Sequence, residues 1–404
     1  MSHATDGAAV KKLVGGNLPG ANASRPAIAM ADADLDETDI QAVLDVLRSK
    51  RLALGPKTEE FERSVAQYCS AKHAIAVCSG TAALHLICRA IGLGRGDEEI
   101  TTPFSFVAST NCFLYENATP VFVDIEPETY AIDPERIEAA ITPRTKAIVA
   151  VDVFGHPADW DPILAIAEKH GLEVIADSCE SLGSSYKGRK TGPFGAGGAF
   201  AYYPNKQMTT GEGGMIVTNR DDVATLCRSM ANQGRNEMGA WLDHPRLGFN
   251  YRMDEMSAAL GVTQIRRIDQ FAAHRAAVAA KYDSLFMGEP RVKIPRIRDW
   301  ATMNYFVYVV ELANGYDRDD VMRRLSERGV PTRGYFSPIH TQPYIREMFG
   351  GNPPSFPVTE AIAKRTLALP FHNHLPAEHA EFVVRNLREV LDEAAAVQPQ
   401  RRAA

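Results

Sequence analysis

Residues 74–91, AIAVCSGTAALHLICRAI, join a short apolar β-type run to an apolar helix through the small-residue turn Ser79-Gly80-Thr81. Four apolar residues in succession suit a strand buried on both faces, since a half-exposed strand would alternate with polar residues. The same grammar recurs downstream. Residues 121–123, 147–151, 174–176, 200–202 and 215–217 are short apolar runs. Residues 161–170, closed by Gly171, and 222–230 read as helices, as do residues 34–49 upstream, with Leu35, Ile40, Val43, Leu44 and Leu47 at helical spacing. Strands interleaved with helices predict an α/β fold around a mostly parallel central sheet.

After Met253 the texture changes. A long helix is expected through Ile265, Ile268 and Phe271 to about 285, then a break at Pro290 and Pro295, a strand at 305–310 and helices at 320–328, 359–367 and 377–394. The expected division is a flexible N-terminal segment (1–25), a large domain (26–255), a linking helix with a smaller α+β domain (256–396), and a frayed tail (397–404).

Composition removes whole classes. With 44 Lys and Arg against 50 Asp and Glu the net charge of the 404 residues is −6, which argues against a nucleic-acid partner. No apolar run approaches the roughly 18 residues that span a bilayer, and no secretory signal pattern opens the chain. The six cysteines form no C-x-x-C pair and read as reduced thiols of a cytoplasmic protein, neither a disulfide framework nor a zinc site.

Four segments carry candidate chemistry. Ser79-Gly80-Thr81 puts unpaired N–H groups and a helix dipole at one point, which suits a phosphate; a plain tight turn needs the same residues. Asp177 ends the run Val174-Ile175-Ala176 where open α/β sheets bind ligands, or it caps the next helix. Lys206, in Tyr203-Pro204-Asn205-Lys206 before the glycines 211, 213 and 214, could be a desolvated Schiff-base lysine or a surface one. Asn250, in Gly248-Phe249-Asn250-Tyr251, could donate to an anion or cap a turn. Residues 183–191 only approximate a P-loop, with Arg189 where a Lys is required, and residues 195–198 lack the third glycine of a dinucleotide fingerprint. His372 and His374 form an H-x-H pair that reads as a polar loop with no neighbours to complete a metal set.

Taken together these segments resemble the DegT-type nucleotide-sugar aminotransferases, pyridoxal-phosphate (PLP) enzymes of fold type I. The resemblance runs over VCSGTAALHL (77–86), TTPFSFVAST (101–110), ATPVFVDIEPETYAIDP (118–134), AAITPRTKAIVAV (139–151), ADSCESLGSSYKG (176–188), YYPNKQMTTGEGGMIVT (202–218) and GFNYRMDEMSAALG (248–261). RGYFSPIH (333–340) and LALPFHNHLP (367–376) follow more loosely. The resemblance implies that Lys206 binds the cofactor covalently and moves the substrate proton, while Asp177 pairs with the pyridine nitrogen. It implies Gly80 and Thr81 at the phosphate, Phe106 stacked on the ring, and Glu180 beside the ring hydroxyl. Asn250 would reach the phosphate of the other subunit, making a homodimer with composite sites.

Three positions depart from the family pattern: Ala201 where a Ser is common, Asp152 where a His is frequent, and Glu180 in place of Gln or His. Related dehydratases carry His where Lys206 stands, so the resemblance implies transamination. The expected substrates are a nucleoside-diphosphate keto-deoxysugar, aminated at C3 or C4, and glutamate or glutamine as donor, with Phe104, Tyr335 and His340 near the sugar. A keto-cyclitol acceptor is the alternative, and a non-catalytic regulatory protein that binds a sugar nucleotide or PLP is a third reading. No metal is expected.

Overall fold

A computed structural model describes residues 26–236 and 243–402. The expected flexible segment 1–25 lies outside the described residues. Seven strands form the central sheet: β1 (His73–Val77), β2 (Glu98–Thr101), β3 (Thr119–Phe122), β4 (Thr145–Val151), β5 (Glu173–Asp177), β6 (Gly197–Ala201) and β7 (Gly214–Thr218). Their order is β1-β7-β6-β5-β4-β2-β3. Neighbours from β6 to β3 run parallel, and β7 alone is antiparallel to both its partners, β6 and β1.

Continuous apolar strands require cover on both sides, and both sides have it. The helix Gly80–Ala90 packs Leu84 and Ile87 against Ile75, Val149, Ile175 and Ile216 on one face. On the other, Phe61 and Val65 of the helix Pro56–Cys69 meet Phe200, Tyr202 and Val262, and Trp160 stacks on Phe194 at 4.6 Å. The cysteines are free thiols, as expected.

Several parts of the sequence reading need correction, among them the helix expected at 359–367, which ends at Ala363 and gives way to a strand at Thr366–Leu369. Strand β2 was not expected, because Glu98 and Glu99 interrupt its apolar character. Yet Glu99 is fully buried, its carboxyl oxygens find no hydrogen-bond partner, and burial holds it far above the usual carboxylate range. The expected long helix is two helices, Glu255–Arg266 and Ile268–Phe286. They break at Arg267 (φ −104°, ψ 2°), whose guanidinium is drawn to Asp36 at 2.8 Å and to Asp39. Finally, the last helix does not stop near 394 but runs Ala377–Arg402, through the expected tail.

The C-terminal part pairs β8 (Val292–Lys293), β9 (Tyr308–Leu312) and β10 (Thr366–Leu369) in an antiparallel sheet. Tyr282, Tyr308, Val310, Leu325 and Leu387 form its core. Residues 183–191, the imperfect P-loop, make a hairpin: Ser185–Tyr186 pairs with Arg189–Lys190. Among the described residues no helix is long and apolar enough to cross a membrane.

Candidate active site

The carboxyl ends of parallel strands converge, so the loops beyond β1, β2, β5 and β6 meet at one point. There a cavity of about 350 Å³ is lined by Gly80, Thr81, Phe106, Asp177, Glu180 and Lys206, with Ala201 and Tyr335 also on its wall. Six positions scattered over 127 residues of sequence thus share one surface. The structure does not bring Phe104 or His340 to it, which corrects the expectation for both. Phe104 is fully buried, edge-on to Tyr130 and Phe336. His340 is buried with its ring against Phe356 and its Nε2 3.4 Å from Glu360.

Gly80 and Thr81 open the helix Gly80–Ala90. Ser79 caps it by accepting the Ala82 N–H (3.1 Å), which leaves the Gly80 and Thr81 N–H groups without an acceptor inside the helix. Glycine is needed at 80 because a Cβ there would stand 2.7 Å from Ala201 Cβ and 2.9 Å from Cys179 Sγ. The helix N-terminus is thereby seated directly on the ends of β5 and β6.

Asp177, the last residue of β5, is buried. Its Oδ2 accepts from Ser109 Oγ (2.6 Å), which itself contacts Ser105 Oγ (2.7 Å), and its Oδ1 accepts from the Cys179 N–H (3.2 Å). Those donors fix the carboxylate, but among the described residues no cationic side chain pairs with it. A buried carboxylate facing a cavity without a counter-ion is costly, and a cation arriving in the cavity offsets that cost.

Lys206 sits on a turn after β6, its N–H donating to Tyr203 O (2.9 Å). Its side chain is 14% exposed, with Nζ 3.9 Å from the centroid of Phe306 and 3.6 Å from Glu180 Oε1. Arg275, buried in the helix Ile268–Phe286, holds the same turn from beneath. It donates to the carbonyls of Lys206 (3.0 Å), Tyr305 (3.2 Å) and Phe306 (3.1 Å). Burial lowers its pKa to about 10 against the opposing pull of Asp34. Ser109, Phe306 and Arg275 were not singled out in the sequence, because each is distant along the chain from the group it supports.

Two of the three departures resolve geometrically. Asp152 is fully buried behind the cavity and is not on its wall. Its carboxylate accepts from Ser178 Oγ (2.6 Å), Ser181 Oγ (2.8 Å), the Ala158 N–H (2.8 Å) and Trp160 Nε1 (3.2 Å). Burial pushes it up to about 6 despite those donors. It is a loop anchor. Glu180 does face the cavity, with Oε2 accepting the Phe154 N–H (2.9 Å); burial raises its carboxyl against the pull of Lys206.

Asn250 does not line the cavity of its own chain and is exposed. Its backbone is nonetheless held firmly. Asn232 and Asn250 form a β-bridge, Tyr251 N–H donates to Ala231 O (3.0 Å), and the Phe249 and Tyr251 rings stack at 4.9 Å. Tyr251 OH is 3.2 Å from Nδ1 of His85, whose Nε2 is 2.8 Å from Glu116.

The profile of the DegT/DnrJ/EryC1/StrS aminotransferase family matches residues 33–388. The chain belongs to that family. Among curated relatives, GDP-perosamine synthase of Caulobacter vibrioides is 38% identical over 372 residues, covering 91% of this chain and 99% of that protein. UDP-2-acetamido-2-deoxy-3-oxo-D-glucuronate aminotransferase of Pseudomonas aeruginosa is 36% identical over 336 residues, covering 82% and 89%. Among solved structures, the PMP form of a putative sugar aminotransferase, Spr1654 from Streptococcus pneumoniae, superposes with a TM-score of 0.85 at 25% identity, covering 91% and all of that chain.

The protein is accordingly a PLP-dependent sugar aminotransferase, and the cavity fits the cofactor on its own terms. A pyridinium ring needs a buried anion, which Asp177 supplies. A phosphate needs N–H donors, which Gly80 and Thr81 supply. An aromatic ring needs a flat apolar face, and Phe106 presents one that is 62% exposed. The aminotransferase's remaining departure invites a test. Ala201 lies on the cavity wall beside Gly80, so Ala201→Ser adds a hydroxyl where the phosphate contacts converge. PLP affinity, measured by titration of the apoenzyme, is expected to hold or improve by about 1 kcal/mol. A marked loss would mean that no room exists there between Gly80 and Cys179.

Proposed function

We propose that this aminotransferase moves an amino group from glutamate, or glutamine, to the C3 or C4 ketone of a nucleoside-diphosphate keto-deoxysugar. The observation that carries the reading is the meeting of Lys206 and Asp177 in one cavity with a helix N-terminus and a free aromatic face. The names of the two curated relatives, one GDP-linked and one UDP-linked with a 3-oxo group, support a nucleotide-linked acceptor.

Bound PLP supplies an electron sink conjugated to the carbon that carries the amine. The rest of the work falls to this chain. Lys206 Nζ, partly desolvated over Phe306, takes the proton from the donor's Cα and returns it on the other side of the half-reaction. Asp177 keeps a proton on the ring nitrogen, and Ser109 and the Cys179 N–H keep the carboxylate aimed. Gly80 and Thr81 hold the phosphate, and Phe106 covers one face of the ring. Glu180, facing the cavity with Oε1 3.6 Å from Lys206 Nζ, sets the charge beside that amine and would stand near the ring hydroxyl of a bound cofactor. Tyr335, on the cavity wall, would meet the sugar in this reading.

Asn250 completes the site from the partner subunit in this reading, since it is exposed and stands outside its own chain's cavity. The test of the substrate class is a half-reaction screen. Glutamate should convert the absorption of the holoenzyme from that of bound PLP to that of PMP. The PMP form, offered keto-deoxysugar nucleotides and keto-cyclitols, should return to the PLP form with the former. Return only with a cyclitol would replace the nucleotide-sugar reading. No response to any amino donor would favour a binding protein without turnover.

A further inference from the structure

The sequence places His372 and His374 in a polar loop with nothing to complete a metal set. The fold corrects that for His374. The chain returns Asp34, just before the helix Glu37–Ser49, and His274, on the helix Ile268–Phe286, to the loop that follows β10. One ligand atom from each of Asp34, His274 and His374 lies within 4.8 Å of the others.

Two of the three are already paired with each other, and the third is not. His374 Nε2 stands 2.8 Å from Asp34 Oδ2, which also accepts from Asn373 Nδ2 (2.9 Å). The His274 ring lies 5.6 Å from that of His374, yet its buried Nδ1 has no hydrogen-bond partner. An imidazole beside a carboxylate with an unsatisfied nitrogen is a ligand in search of an electrophile. The nearby cation, Arg267, competes weakly. It is 3.4 Å from Asp34 Oδ1 but is drawn more closely to Asp36 (2.8 Å) and to Asp39. Arg275, on the same helix as His274, also acts on Asp34 from its buried position, but no hydrogen bond or ion pair joins the two, which leaves the Asp34 oxygens to His374, Asn373 and the longer contact with Arg267.

We propose that Asp34, His274 and His374 bind a divalent transition-metal ion, zinc first, that fastens the segment before the first helix to the C-terminal part. Two imidazoles and one carboxylate, with water as the fourth ligand, match the tetrahedral preference of zinc. Magnesium and calcium demand oxygen ligands and are excluded by the same set. Coordination replaces the hydrogen bond between His374 Nε2 and Asp34, and any proton displaced goes to solvent. Asn373 remains as the outer donor that orients the carboxylate. None of the three ligands lines the catalytic cavity, so the role is structural.

The test uses the holoenzyme, purified without a histidine tag and freed of metal by a chelator. Equilibrium dialysis against micromolar zinc should give one tightly held ion per chain, and zinc should raise Tm. His274→Ala removes a ring that makes no hydrogen bond, so it should fold normally while losing the ion and the Tm response. His374→Ala should lose both as well. Magnesium should leave Tm unchanged. Failure of the wild type to take up zinc, or equal uptake by the wild type and both variants, overturns the site. An equal rise in Tm with magnesium overturns the choice of metal class. None of these readouts depends on the amination reaction.

Discussion

Asp177→Asn should fold, bind PLP, and turn over at least about 10²-fold more slowly than the wild type even when PLP saturates it. The substitution preserves shape. The asparagine carbonyl can still accept the Cys179 N–H at the 3.2 Å contact, while its NH2, now facing Ser109 Oγ, can donate to that hydroxyl instead of accepting from it. What is lost is the charge. A buried anion favours the protonated form of a neighbouring ring nitrogen, and a neutral amide does not. The electron sink then weakens while the phosphate contacts at Gly80 and Thr81 stay as they were. The measurement is kcat at saturating PLP together with the cofactor content of the purified variant. Recovery of the wild-type rate at high PLP would show that Asp177 serves only to retain the cofactor. Ser109→Ala provides a graded companion, since it removes one donor and leaves the charge. Its loss of rate should be the smaller of the two.

The difference between Asp177 and Ser109 also marks where sequence reasoning stops. Asp177 is legible because it closes an apolar strand, and the ends of buried parallel strands are where such sheets bind ligands. Ser109 is one polar residue in a short helix, and nothing local distinguishes it from a capping or solvent-facing serine. The strands around the site were readable for the same reason as Asp177, since full burial makes them continuous apolar runs. Strand β2 was not, because its Glu98 and Glu99 are buried against every compositional expectation. The break at Arg267 was equally hidden. Helical periodicity continues across it, and the acids that pull the arginine aside, Asp36 and Asp39, lie more than 200 residues earlier. Phe104 and His340 do not line the cavity, because proximity in sequence to Phe106 and Tyr335 says nothing of which side of the chain faces it. The pairing of His374 with Asp34 and His274 failed for the opposite reason, being wholly non-local.

The shared site makes the most demanding prediction. Lys206→Ala should be inactive as a homodimer while still taking up PLP through Gly80, Thr81 and Asp177, because among the described residues no other lysine lines the cavity. Asn250→Asp should also be inactive at ordinary PLP concentrations. It sets a negative charge against the phosphate where a donor is required, and it does so without disturbing the Phe249–Tyr251 stack that holds the backbone. Mixing the two under subunit exchange separates the alternatives. If Asn250 serves the partner's cavity, the mixed dimer has one site with both defects and one with an intact Lys206 and an intact Asn250. Random exchange makes half of the dimers mixed, so activity should return to about a quarter of the wild-type value per chain. If Asn250 serves its own chain, each site of a mixed dimer keeps one defect and nothing is recovered. The exposed position of Asn250, outside the cavity that contains Lys206 of the same chain, makes recovery the expected result. Verified mixed dimers without activity would reject the composite site and leave the phosphate to the donors of one chain alone.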